Sequence, residues 1–427
     1  MMTGRKPTPK APELRFPEFR SAGNWHFKPL SEIADPISDR VGGGNCVPMS
    51  VSTGVGLVSQ DEKFGRIIAG DSIKNYIRLQ ENDFAYNKSS TKEFPQGYIA
   101  RYCGTKDAAV PNSIFTCFRP NAASAVPHYL EYLFHGNHHG RWLRKFITVG
   151  ARAHGALSVS DDDLMSMPVP LPPIEVSLLE QQKIADCLGS LDDLIAAEGR
   201  KLEALREHKQ GLMQQLFPQE GETKSRLGSH SDWSTHELSA VAFFQEGPGI
   251  MATDFHSEGV PLVRLSGLSG ESVTLEGCNY LNPDKVEKKW RHFRLVPGDL
   301  LISTSASFGL VSIVTRIAAG AVFYTGIVRF RSIDEQLKDS YLRAYLESPH
   351  FLRQAGIHAV GGGIKHFGPT HLRQMQIQIP EISEQRRISG ILSTVDACIG
   401  GQARKLEALN QHKQGLLQQL FPPLSGQ

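Results

Sequence analysis

Residues 180–218 read EQQKIADCLGSLDDLIAAEGRKLEALREHKQGLMQQLFP, and residues 384–422 read EQRRISGILSTVDACIGGQARKLEALNQHKQGLLQQLFP, aligned without a gap at an offset of 204. From Arg200 to Pro218, sixteen of nineteen positions are identical. Likeness of that degree within one chain marks a duplicated unit. Apolar residues recur at heptad spacing in both copies, the pattern of a long helix with a narrow apolar stripe. In the first copy Leu188, Ile195, Leu202, Lys209 and Leu216 fall at position a, with Ile184, Leu191, Glu198, Leu205 and Leu212 at d. The second keeps the register, with Leu392, Ile399, Leu406, Lys413 and Leu420 at a and Ile388, Val395, Gln402, Leu409 and Leu416 at d. A buried aliphatic side chain is worth about 1.5–3 kcal/mol, so either stripe left in water would forgo more than roughly 10 kcal/mol of gross burial energy. The natural partner of each stripe is the other.

Connectivity sets the direction of that pairing. The spacing predicts a flexible basic tail over 1–22, a first lobe over 23–176, a central long helix over 177–218 and a linker over 219–231. A second lobe over 232–380, a C-terminal long helix over 381–422 and a short tail over 423–427 follow. The second helix then starts near where the first ends, which favours an antiparallel pair with one lobe at each end and an approximate two-fold relation. From Ile184 to Leu216, at about 1.5 Å per residue, the seam is roughly 50 Å long.

The lobes repeat as well. Trp25, Leu30 and Ser31 match Trp233, Leu238 and Ser239 at an offset of 208, and Val169, Leu171 and Pro172 match Ile377, Ile379 and Pro380 at the same offset. Between these landmarks lie short β-branched and aromatic runs, Arg66 to Ile68, Asp83 to Tyr86, Leu300 to Ser303 and Val322 to Phe330, broken by Gly, Pro, Asn and Ser. The expected fold class is α+β: two similar mixed lobes separated by two long helices that form an antiparallel intramolecular coiled coil of pseudo-two-fold symmetry.

Composition and motifs exclude several classes of function. No apolar run is long enough to span a membrane, and MMTGRKPTPKAPEL at the start lacks the apolar segment of a signal peptide, which points to a cytoplasmic protein. Six cysteines, Cys46, Cys103, Cys117, Cys187, Cys278 and Cys398, make neither a C-x-x-C pair nor a metal-ligand spacing, and read as reduced structural thiols. His138 and His139 adjoin, but adjacent rings rarely aim at one ion, so no metal site is expected. The chain contains no Gly-Lys dipeptide, which excludes a phosphate-binding P-loop. Gly54-Val55-Gly56 and Gly247-Pro248-Gly249 read as turns, and Pro283-Asp284 followed by Glu287-Lys288-Lys289 as a surface helix start rather than a nuclease motif. No N-P-P-Y or D-P-P-Y loop for methylating an exocyclic amine is present. The chain is expected to catalyse nothing alone.

Charge points instead to binding. The net charge is only +2, but it is unevenly placed. Tyr132 to Ser160 contains no acid while holding Arg141, Arg144, Lys145 and Arg152 with His135, His138, His139 and His154. Ser348 to Pro380 is likewise acid-free, with Arg353, Lys365, His366 and Arg373. Two polar loops, Tyr86 to Lys92 (YNKSSTK, with Lys88 and Ser89) and Ser303 to Gly309 (STSASFG, with Ser305), carry side chains suited to phosphate and base-edge hydrogen bonds. The candidate DNA-binding residues are therefore Lys88, Ser89, Arg141, Arg144, Lys145, Arg152, Ser305, Arg353, Lys365 and His366.

The order lobe, EQ-x-x-I…KQGL-x-QQLFP helix, lobe, helix, with LRFPEF (14–19), VPMSVSTGVGLV (47–58), NDFAYNKSS (82–90) and VPGDLLISTSASFG (296–309), resembles the specificity subunit of type I restriction-modification systems. The resemblance covers essentially the whole chain. It implies that each lobe is a target-recognition domain reading half of a bipartite, asymmetric site in double-stranded DNA. The helices would act as spacer and docking site for two methyltransferase subunits that modify adenine at N6, with ATP-driven restriction subunits completing the nuclease. S-adenosylmethionine, ATP and magnesium would then belong to those partners and not to this chain. A duplicated coiled-coil scaffold binding proteins rather than DNA is the alternative reading.

Overall fold

The computed structural model describes residues 11–52, 54–147, 157–218, 222, 233–268, 270–304, 311–358 and 368–423. It divides into two compact units, Met1–Ala197 with Leu406–Gln427, and Glu198–Lys405. The first unit's lobe begins with β1 (His26–Pro29), β2 (Ala34–Pro36), β3 (Val47–Ser52), β4 (Gly56–Ser59), α1 (Gln60–Phe64), β5 (Ile77–Leu79) and β6 (Phe84–Asn87). It continues through β7 (Tyr98–Arg101), β8 (Ala108–Val110), β9 (Phe115–Pro120), α2 (Pro127–His135), α3 (His138–Leu143), α4 (Asp161–Met165) and β10 (Pro168–Leu171) into the long helix α5 (Ser177–Leu216). The second lobe begins with β11 (Ser234–Glu237), α6 (Leu238–Val241), β12 (Ala242–Glu246), β13 (Val260–Val263), β14 (Asn279–Leu281), α7 (Pro283–Lys285) and β15 (Leu300–Ser303). After β16 (Val311–Ile313), β17 (Val322–Phe323), β18 (Ile327–Ser332), α8 (Asp339–Glu347), α9 (Pro349–His358), α10 (Pro369–Leu372) and β19 (Gln376–Ile379), it enters the long helix α11 (Ile382–Gln419).

The lobes share a frame. One lobe orders a four-stranded sheet β2-β9-β6-β7 and the other β12-β18-β15-β16. A parallel pairing recurs in the second sheet of each, β3 with β8 and β13 with β17. The strand that enters each lobe pairs antiparallel with the strand that leaves it: His26 opposes Leu171 in one, and Ser234 opposes Ile379 in the other. Both pairings carry the offset of 208 read from the sequence. Trp25 and Trp233 sit at the start of these ribbons, 0% and 3% exposed. Leu30 and Leu238 follow, each donating its amide to a methionine carbonyl, that of Met167 (2.8 Å) or Met375 (2.9 Å).

Helix pairing is antiparallel within each unit. In the first, Lys413 pairs with Asp192, while Ile184 and Leu188 share a core with Leu417 and Leu420. In the second, Lys209 pairs with Asp396 at 2.7 Å, and Met213 and Leu216 share a core with Ile388 and Leu392. These two ion pairs are the same pair with the copies exchanged, since Asp192 and Lys209 correspond to Asp396 and Lys413. All sixteen apolar seam residues are buried or half-buried. Ile184, Leu188, Leu216, Ile388, Leu392 and Leu420, near the helix ends, are the more deeply buried because lobe side chains cover them; Leu191, Ile195, Val395 and Ile399 remain half-exposed.

The duplicated ends of the helices serve different attachments. Gln181 and Gln385, both fully buried, hold the turn before α2 and α8 by the same bonds: each side-chain oxygen accepts an amide, from Val126 or Lys338 (both 2.9 Å). Each side-chain nitrogen donates to a carbonyl, of Ser124 (3.2 Å) or Gln336 (2.6 Å). The LFP ends do the reverse and cross over. Phe217, from the first copy, packs on Trp233 and Tyr341 of the second lobe. Phe421, from the second copy, packs on Tyr129 and His138 of the first. Each unit is thus one lobe closed by its own helix start and the other copy's helix end.

Two sequence expectations are corrected. The stretch from Leu14 to Ser21 is pinned rather than a flexible tail: Leu14 donates its amide to Gln419 O (3.0 Å), and Arg15 grips the buried Glu180 carboxylate through Nε and Nη2, both at 2.7 Å. Arg66 to Ile68 is not a strand. The amides of Ile68 and Ala69 are satisfied by the buried Gln60 side chain (2.9 and 3.0 Å), so no neighbouring strand is needed, and Ile67 and Ile68 lie exposed.

Candidate nucleic-acid interface

In the first lobe the β6–β7 loop, α3 and α4 converge. Lys88, at the end of β6, accepts the amide of Leu157 on its carbonyl (2.7 Å). His139 of α3 donates through Nε2 to Gly97 O (3.1 Å), and Trp142 donates to Asp163 O (3.2 Å). Helix α4 starts here because Ser160 and Asp163 form a reciprocal cap, Ser160 Oγ accepting the Asp163 amide at 3.0 Å and Asp163 Oδ2 the Ser160 amide at 3.1 Å. Of the candidate DNA-binding residues, Lys88, Ser89, Arg141, Arg144 and Lys145 come together at this place. Arg144 and Lys145 are exposed, and Lys145 Nζ lies over the Trp142 ring, 3.0 Å from its centre. Ser89 donates its amide to Asn87 Oδ1 (2.9 Å), fixing the turn out of the strand. Arg152 lies outside the described residues.

Two features differ from the linear charge count. Asp161, just beyond the acid-free stretch, folds back to pair with Lys88 Nζ (3.0 Å) and accepts Thr116 Oγ1 (2.6 Å), so the surface is mixed rather than purely basic. His135, His138 and His139 add no charge near neutrality. Burial holds the His135 ring below its usual range and pushes His138 and His139 down to about 4.

The second lobe has the corresponding place. Thr304, at the end of β15, donates its amide to Gly326 O (3.0 Å). Next to it Thr325 Oγ1 donates to Glu246 Oε1 (3.5 Å), and a side chain at Gly368 would meet Glu246 Oε2 at 3.3 Å. Thr304 and Gly368 thus lie beside the same Gly326–Glu246 corner, and Ser305, Lys365 and His366 lie outside the described residues. Arg353, on α9, is exposed.

Beneath both places the sheets are locked by the same pair, which sequence reading passed over. Asp83 accepts Arg119 through both oxygens (2.7 and 2.8 Å) and the amide of Gln80 (2.7 Å). Asp299 likewise accepts Arg331 and the amide of Val296 (2.9 Å). The signal was available: an acid opens β6 and β15 in NDFAYN and GDLLIS, one strand away from an arginine. Gly54 and Gly56, at φ +78° and +107°, make the β3–β4 turn, and Asn282 caps Pro283–Lys285 by accepting the Lys285 amide (3.1 Å), as the turn and helix-start readings required. Among the described residues no group of three or more His, Cys, Asp or Glu side chains could hold a metal ion, and no helix is long and apolar enough to cross a membrane.

Residues 231–411 match the family model for the type I restriction modification DNA specificity domain. The chain is 26% identical over 370 residues to a putative type I restriction enzyme MjaX specificity subunit of Methanocaldococcus jannaschii, covering 83% of this chain and 78% of that protein. It is 23% identical over 286 residues to the MjaVIII specificity subunit of the same organism, covering 65% and 66%. Two solved structures share the fold. One was determined in work on assembly and conformational transition of the type I R-M system, with TM-score 0.58, 18% identity and 93% and 97% coverage. The other is the type I restriction-modification S subunit from M. genitalium, with TM-score 0.53, 13% identity and 97% and 100% coverage.

Proposed function

The chain belongs to the specificity subunits of type I restriction-modification systems, and from that premise we propose how it divides the reading of DNA. Each lobe reads one half of a bipartite target, and the target is asymmetric because the lobes differ. The observation that carries this reading is a constant frame with unequal sequence: sheets of the same strand order in the two lobes, locked by Asp83–Arg119 and Asp299–Arg331, are followed after β6 and β15 by segments of different length and sequence. A recognition module needs that division, since the frame must place whatever side chains meet the base edges.

Arg144, Lys145 and Arg353, with Arg152, Lys365 and His366, supply phosphate and base contacts, and Lys88 is freed for DNA when Asp161 is displaced. The paired helices are the spacer, and methyltransferase subunits dock on them. At about 3.4 Å per base pair, a seam of roughly 50 Å separates half-sites by about 15 base pairs at most. Two methyltransferase subunits, with restriction subunits in the full complex, supply S-adenosylmethionine, ATP and magnesium chemistry in the cytoplasm. This chain is a non-catalytic subunit. With a net charge of +2 it binds DNA weakly and salt-sensitively until its partners add phosphate contacts.

Mapping methylated adenines in the host genome tests this reading. Two short motifs at one fixed separation are expected, and a single contiguous motif overturns it. Inserting one heptad in both helices should lengthen the preferred spacer or abolish binding; an unchanged spacer removes the ruler. A stable copurifying partner without any sequence-dependent DNA shift would favour the scaffold alternative.

A further inference from the structure

A chain whose two helices carry nearly the same seam could pair each with its like from a second chain. Eight of the ten seam positions carry the same residue in both helices, the exceptions being Leu191 against Val395 and Glu198 against Gln402. The lysine–aspartate pairs do not discriminate. Asp192–Lys413 and Asp396–Lys209 are repeat equivalents, so a first helix facing another first helix would still set Asp192 opposite Lys209.

The layer at Glu198 and Gln402 is different, because it is repeat-equivalent in position but not in chemistry. Gln402 Nε2 donates to the Glu198 carbonyl oxygen (2.9 Å) and to its carboxylate Oε2 (2.6 Å), and Lys405 adds an ion pair to Oε1. Both side chains are largely covered, Glu198 13% and Gln402 7% exposed. Two first helices would bring two such carboxylates into one layer. Lys201, the counterpart of Lys405, could still reach across, but the amide donor would be gone. Two second helices would leave glutamine on glutamine and deprive Lys405 of its acid.

We propose that Glu198 and Gln402 form a partner selector, one mixed layer in an otherwise self-complementary seam that favours pairing of the first helix with the second over pairing of like helices from two chains. A single polar layer at a core position is enough to set partner choice in paired helices. The inference stands whatever the lobes bind.

The test uses the full-length chain in four forms: unaltered, Glu198→Gln, Gln402→Glu, and the double exchange. Each is unfolded and refolded as a mixture of two differently tagged chains, and the mixed-tag dimer is measured by capture and sedimentation. Glu198→Gln should raise that dimer about tenfold, because all pairings then become glutamine on glutamine. The double exchange should return it to the unaltered level, since the carboxylate, moved to the second helix, again meets an amide on the first and has Lys201 beside it. Lys405→Ala should lower the Tm of the unaltered chain but not that of the double exchange, where Lys201→Ala should do so instead. An equal dimer fraction in all four forms, or a double exchange that behaves like Glu198→Gln, overturns the proposal.

Discussion

At the same point of the same sheet, the first lobe carries Cys117 and the second Arg329. Strands β9 and β18 align at an offset of 212, and both residues are nearly inaccessible, at 2% and 3% exposure. Around Cys117 the interior is apolar, and burial drives its thiol far above the usual range. Arg329 needs a polar nest. It donates to the carbonyls of Arg294 (2.9 Å) and His292 (3.0 Å) and to Gln245 Oε1, lies 3.8 Å from Asp299, and burial still brings it down to about 10. The carbonyls come from residues 291–294. One buried charge therefore ties an otherwise irregular segment to the second lobe's sheet. A frame can stay constant while its interior is rewritten, and the rewriting decides which loops it can hold.

That contrast can be broken at its strongest point. Removing one partner from a buried ionic cluster typically costs about 3–5 kcal/mol. Arg329→Ala should therefore destabilise the second lobe by about that much, whereas Cys117→Ala should cost the first only about 1–2 kcal/mol. Lobe-resolved hydrogen exchange would separate the two, and equal losses would contradict the comparison. The crossing of the helix ends gives a test of similar size. Phe217→Ala should loosen the second lobe and Phe421→Ala the first, by about 3 kcal/mol or more each, although each residue belongs to the opposite copy of the repeat. Loss of protection in the mutated copy's own lobe would reverse that assignment.

Acid should act unequally on the lobes. His139 Nε2–H is held by Gly97 O, and its buried Nδ1 has no partner, so a second proton has nowhere to bond. The folded ring titrates near 4, below the unfolded value of about 6.5, so its contribution to stability is complete above about pH 6.5 and is lost as pH falls toward 4. The loss approaches about 3 kcal/mol. At the corresponding position the second lobe has Phe351. Urea denaturation between pH 7 and 4 should show the slope, and His139→Phe should reduce it, leaving the part carried by His138; an unchanged slope would assign the titration elsewhere. The smallest effect concerns the seam. Asp192→Asn and Asp396→Asn should each cost about 1 kcal/mol or less, since both pairs are partly solvated. Equal effects by thermal melts would support the equivalence of the two copies, and a marked inequality would count against it.

The linear sequence determined the repeat, the long helices, their register and the matching landmarks at each lobe's entrance and exit, because heptad spacing and a constant offset are properties of order along the chain; that those landmarks pair as ribbons came from the fold. It also marked Lys88, Ser89, Arg141, Arg144 and Lys145 as candidates, but their nearness in space follows from the fold and not from order along the chain, since more than fifty residues separate the two groups. Only tertiary structure decided that Asp161 folds back on Lys88, that His138 and His139 are uncharged, and that Phe217 and Phe421 plug opposite lobes. Ion pairing, desolvation and core packing join residues far apart in the chain, and no local pattern records which distant surface will cover a given side chain.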